Sequence, residues 1–171
     1  MALVRHRPAR FLLSCDGVDG QLHFEKLVSL AVEWATEQEG RILREGVPLS
    51  EEEIADAKAV GVKDPERVRL LQVDTVPTPA HPLLKAAYDT INLRTPAPRG
   101  LALRYGISIR SDYWRDRSLI AHELAHTAQY ERLGGIVPFL RQYFSECMTS
   151  GYRTAPMEQE ASAVSARVCS A

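Results

Sequence analysis

Cysteine is scarce: three residues in 171, at Cys15, Cys147 and Cys169, far apart and with no Cys-x-x-Cys pair among them. That spacing offers no disulfide framework and fits free thiols in a reducing compartment. A net excess of charge is also missing, since 21 basic and 22 acidic residues leave a formal charge of −1. The chain therefore carries no electrostatic footprint for nucleic acid. Long apolar runs are absent too. Arg5, His6, Arg7 and Arg10 precede Phe11-Leu12-Leu13-Ser14-Cys15, which looks superficially like a lipoprotein cleavage box, but its apolar run is only three residues. A secretory signal needs an apolar core of roughly 7 to 15, and no stretch approaches the length of a membrane span. These absences point to a cytoplasmic protein with neither membrane nor nucleic acid as partner. No repeat or low-complexity tract interrupts the chain.

What remains is a chain of single-domain length with 45% hydrophobic residues, enough for a real core. After the Asp16-Gly17 and Asp19-Gly20 turn signals, Phe24, Leu27, Val28, Ala31, Ala35, Ile42 and Leu43 make an apolar stripe at helical spacing from about Gln21 to Arg44. Glu33, Glu37 and Glu39 fall mainly outside that stripe. Ser50 and Glu53 form a capping box for a short helix ending near Gly61. Residues 68–74 read as a strand stopped by Pro77 and Pro79, and residues 82–91 as a helix. Ala102 to Ile109 reads as one strand, with Leu103, Tyr105, Ile107 and Ile109 alternating against polar neighbours.

The most informative stretch follows: Leu119-Ile120-Ala121-His122-Glu123-Leu124-Ala125-His126-Thr127-Ala128-Gln129-Tyr130. It lies in a predicted helix opened by Asp112 or Asp116 and closed by Gly134-Gly135. His122 and His126, at i and i+4, share one helix face, so both imidazoles can reach one metal ion. Glu123 sits at the rim of that face, placed to touch a metal-bound water without being a ligand. This is the His-Glu-x-x-His arrangement of zinc peptidases. A catalytic zinc takes three protein ligands and leaves a fourth position open for water, whose pKa it lowers; a nearby carboxylate then collects the proton.

Gly134-Gly135 ends that helix, and another follows from Ile136 to about Thr149, with Phe139, Leu140, Tyr143, Phe144 and Cys147 spaced for core packing. A last helix starts near Pro156, in Thr154-Ala155-Pro156-Met157-Glu158-Gln159-Glu160-Ala161-Ser162. Here the sequence resembles the gluzincins, zinc peptidases whose third ligand is a glutamate on a later helix, in a Glu-x-x-Ala-Asp pattern. That register selects Glu158, with Glu160 in reserve. Ser162 stands where the family often has an aspartate supporting the first histidine, and second-shell partners of this kind tune the metal.

The resemblance covers about residues 101–167 and is nearest in size to a minigluzincin. It implies an α+β, zincin-like domain in which a small sheet packs on an active-site helix and a glutamate-bearing helix. It further implies one zinc ion on His122, His126 and Glu158, with Glu123 as general base and a peptide or protein as substrate. Tyr152, on the loop before the last helix, is the candidate donor to the developing oxyanion, a role such peptidases often give to a tyrosine or histidine. The strand before the active-site helix would pair with substrate along Tyr105 to Arg110. Residues 1–100 would complete or cover the core at 101–171, or recruit a regulatory partner. The alternative is a catalytically silent zincin-fold metal-binding regulator or scaffold.

Overall fold

The computed structural model describes residues 18–91 and 97–170. His6 and Cys15 lie outside them. The chain runs α1 (Val18–Glu45), β1 (Val47–Pro48), α2 (Glu51–Val60), β2 (Arg69–Val73), α3 (Pro82–Ile91), β3 (Gly100–Leu103), β4 (Gly106–Arg110), α4 (Arg117–Leu133), α5 (Ile136–Ser150) and α6 (Pro156–Cys169). The result is an α+β fold. Its mixed four-stranded sheet has the order β1-β2-β4-β3, with β2 parallel to β4 and the other pairs antiparallel. None of the helices is long and apolar enough to cross a membrane, among the described residues.

Strand alternation divides the core into two layers. Leu70, Ala102, Ile107 and Ile109 turn to one face, where they pack with Ile120, Ala121, Leu124 and Ala125 of α4, Ala57 and Val60 of α2, and Ala161 and Val168 of α6. Leu71, Leu101 and Leu103 turn to the other, against Leu27, Ala31, Ala35 and Ile42 of α1, Leu84 of α3 and Phe139 and Leu140 of α5. The α4–α6 contact is built on small side chains: Ala121 and Ala161 are both fully buried. Alanine faces let two helix axes approach closely, and that approach brings the start of α6 beside the histidines of α4.

Capping follows the sequence signals. Ser50 and Glu53 form the reciprocal capping box of α2. Asp116, the second of the two acids named as openers, caps α4 by accepting the Leu119 N–H at 2.9 Å. Gly134 closes α4 at φ 91°, a left-handed backbone that glycine adopts without a Cβ clash.

Two expectations are corrected. The stretch 102–109 is not one strand but a tight hairpin, turning at Arg104 and Tyr105 between β3 and β4. Arg104 has φ 57°, and neither central residue of the turn is a glycine or asparagine. A distant carboxylate makes it instead. Glu39 of α1, expected outside the apolar stripe, is 2% exposed. It accepts Arg104 Nε and Nη2, each at 2.8 Å, and the Tyr105 N–H at 3.2 Å. The second correction concerns substrate pairing: β4 is hydrogen-bonded to β2 on one side and β3 on the other. Residues 106–110 therefore have no free backbone edge for a substrate strand, and the outer strand beside the motif helix is β3.

Candidate metal centre

Three side chains converge where α6 starts beside α4. His126 Nε2 lies 3.2 Å from His122 Nε2, and the Glu158 carboxylate lies 3.4 Å from each ring, through Oε1 to His126 and Oε2 to His122. These separations have a direct chemical meaning. A tetrahedral zinc whose nitrogen and oxygen ligands lie about 2.0–2.1 Å away holds those ligands about 3.3–3.4 Å apart. The two histidine nitrogens stand near one such edge, the carboxylate offers a different oxygen to each ring, and one donor atom from each of the three residues lies within 4.8 Å of the others. No other set of metal-ligating side chains of this kind occurs among the described residues.

The cluster is largely buried, with Glu158 5% and His126 7% exposed and His122 half-buried. Burial raises the Glu158 pKa, but hydrogen bonds with His122, His126 and Tyr143 outweigh it, so the carboxyl is held well below its ordinary range. For His126 burial opposes the charged ring, yet the Glu158 and Glu123 carboxylates raise its pKa. A metal entering the cluster would displace that proton, so affinity would fall as pH falls.

The tautomer of His126 is fixed by a hydrogen-bond chain that the sequence reading missed. Gln129 Nε2 donates to the Met157 carbonyl at 2.9 Å and to Glu160 Oε2 at 3.0 Å. With two acceptors on its amide nitrogen, Gln129 must present its oxygen to His126 Nδ1, 2.8 Å away. Nδ1 then carries the proton, and the Nε2 lone pair faces the cluster. Glu160, the reserve ligand, is occupied elsewhere: Arg132 grips both its oxygens, at 2.6 and 2.7 Å. The only sequence trace of this arrangement is Gln129 at i+3 from His126. Replacing Gln129 by alanine is expected to weaken zinc affinity by about 10–100-fold without unfolding the chain, as read by competition with a chromophoric chelator.

Tyr143, assigned to packing from its spacing, also belongs here. Its hydroxyl donates to Glu158 Oε1 at 2.6 Å, and its ring stands edge-on to His126 with centroids 6.2 Å apart. Burial of the Tyr152 phenol, then the charges of Glu158 and Glu123, raise its pKa far above the usual tyrosine value. It stays protonated, and so able to donate, through the neutral range.

Glu123 is 6% exposed. Desolvation raises its pKa first, His122 and His126 pull it down, and the Ala102 backbone N–H donates to its carboxylate. β3 comes so close that a Cβ on Gly100 would stand 2.6 Å from Glu123 Oε1. Glycine at this position is thus a condition of the carboxylate's placement. Thr127, one turn after Glu123, ties α4 to the hairpin by donating to the Arg104 carbonyl at 2.7 Å.

Ser162 does not do what an aspartate there would do. It is exposed, and no hydrogen bond joins it to His122. Among the described residues, His122 is hydrogen-bonded or ion-paired only with His126 and Glu158.

The arrangement is a His/His/Glu cluster able to chelate a metal ion, with a second carboxylate, Glu123, beside it. No protein-family model, no curated protein and no solved structure matches this chain. Its chemistry is therefore argued from these side chains.

Proposed function

We propose that the chain is a zinc-dependent metallopeptidase of gluzincin type that hydrolyses peptide bonds in a protein or peptide substrate. The observation that carries this reading is the pairing of a buried metal-ligating cluster, His122, His126 and Glu158, with an independently held carboxylate, Glu123. A structural zinc closes its fourth position with another protein ligand and needs no base beside it. When bound, zinc lowers the pKa of a coordinated water and polarises the substrate carbonyl.

The chain's own residues supply the rest. Glu123 takes the proton from water as its oxygen adds to the carbonyl carbon, then passes that proton to the amine nitrogen as the C–N bond breaks. Its raised pKa suits it to both transfers. Tyr152, protonated at neutral pH, donates to the oxyanion that develops on the former carbonyl oxygen. Gln129 and Tyr143 hold the ligands in place. An extended substrate would lie along β3, the outer strand, whose Ala102 N–H already addresses Glu123.

A second reading is a metal-binding regulator or scaffold of the same fold without turnover. One observation favours it: Ser162 leaves His122 without the carboxylate partner that usually orients a ligand histidine. Zinc analysis and an assay on an unfolded protein substrate such as casein separate the readings. The expected result is about one zinc per chain and hydrolysis that a chelator removes and added zinc restores. One zinc without hydrolysis selects the regulator, and no zinc removes both.

A further inference from the structure

A cavity of about 430 Å³ opens beside His122, between the start of α4, the middle of α6 and the segment around β3 and β4. Ser118, Leu119, Ser162 and Ser165 contribute to its walls, and Arg99 and Tyr113 stand at one side. The volume suits one substrate side chain or chain end. Its one cation is Arg99, exposed at the entry to β3, with its guanidinium 4.7 Å from the Tyr113 ring centre. Arg110 lies against the same ring, but both its arms are taken by Asp112, at 2.6 and 2.9 Å. Arg99 makes no close ion pair among the described residues: Asp112 feels its charge, but both Asp112 oxygens are held by Arg110. The acid in the wall, Asp116, is turned to capping, accepting the Leu119 N–H at the positive end of α4.

An arginine held by an aromatic face and free of a close ion pair can present its planar fork to a carboxylate. We infer that Arg99 makes this cavity a carboxylate-recognising subsite, which selects substrates carrying an acidic side chain or a free C-terminal carboxylate next to the scissile bond. The inference deepens the peptidase reading and rests on it for the word substrate. The Ser118 and Ser162 hydroxyls in the same cavity wall supply further donors to an anion.

The test uses the full chain loaded with zinc and two pairs of peptides with the same backbone. One pair differs as glutamate against glutamine beside the cleaved bond, the other as C-terminal acid against C-terminal amide. Wild type should favour the acid member of one pair by about 10–100-fold in kcat/KM, the range of a charged hydrogen-bonded contact. Which pair shows the preference identifies the source of the carboxylate. Arg99→Gln should abolish the preference, read as the ratio of kcat/KM for the two members of a pair, and Arg99→Glu should turn it towards lysine. Equal cleavage of acid and amide by wild type, or a preference that survives Arg99→Gln, overturns the inference and leaves the peptidase reading standing. Binding of the same peptides to zinc-loaded Glu123→Gln protein, followed by calorimetry, gives a readout independent of turnover. Acid-selective binding that depends on Arg99, in a protein whose wild type cleaves nothing, would keep the subsite and remove the peptidase. Binding without that selectivity would overturn the subsite.

Discussion

On the peptidase reading, Glu123→Gln protein is expected to retain about one zinc per chain and to lose hydrolysis by about 10²–10⁴-fold, the usual contribution of a general base. The expectation follows from where the carboxylate stands. Glu123 belongs to none of the three metal-donor positions, which are filled by His122, His126 and Glu158. A glutamine in its place keeps the volume between Gly100 and α4, and its amide oxygen still accepts the Ala102 N–H. What it lacks is a basic oxygen for the water's proton. Metal analysis with a steady-state assay on one sample checks both halves. Full activity in this variant would remove the mechanism; loss of zinc together with activity would place Glu123 among the ligands.

Glu158→Ala protein is expected to lose most of its bound metal under conditions where wild type stays loaded. A structural zinc site binds with about 10–16 kcal/mol at neutral pH. One ligand's share, roughly 3 kcal/mol, corresponds to an affinity loss of about 100–1,000-fold. The loss also strands groups that Glu158 now satisfies: the Tyr143 hydroxyl, 2.6 Å from Oε1, and the two imidazoles. Glu160→Ala is the matched control. That side chain is bound by Arg132 and Gln129 and not by the cluster, so its removal acts on zinc only through the orientation of Gln129. If Glu160→Ala emptied the site while Glu158→Ala stayed loaded, the assignment of the third donor would be wrong.

The helices were legible in the chain because their signals are local. The apolar stripe of α1, the capping box of α2, the glycine stop of α4 and the proline start of α6 each act within a turn or two. The hairpin between β3 and β4 was not legible. Arg104 and Tyr105 carry no turn signature, and the residue that holds them, Glu39, lies 65 positions earlier on a different element. Alternation of Leu103, Tyr105, Ile107 and Ile109 mimicked a continuous strand. With the turn unread, the free edge of the sheet was assigned to the strand that the structure places inside it.

The site divides in the same way. Sequence alone determined that His122 and His126 share one helix face with Glu123 at its rim, because covalent spacing and 3.6 residues per turn leave no other arrangement once the helix forms. It also determined that Glu158 lies in the first turn of a later helix, where the backbone dipole favours a carboxylate. Only the tertiary structure decided that Glu158 reaches the histidines and Glu160 does not, that Gln129 and Tyr143 orient the donors, and that Arg99 flanks a cavity beside them. Those outcomes depend on how closely α4 and α6 approach across their alanine-lined contact, on how α5 packs beside them, and on which donors remain unpaired once the core has closed. Both are properties of packing between distant segments, and the spacing within one segment does not carry them.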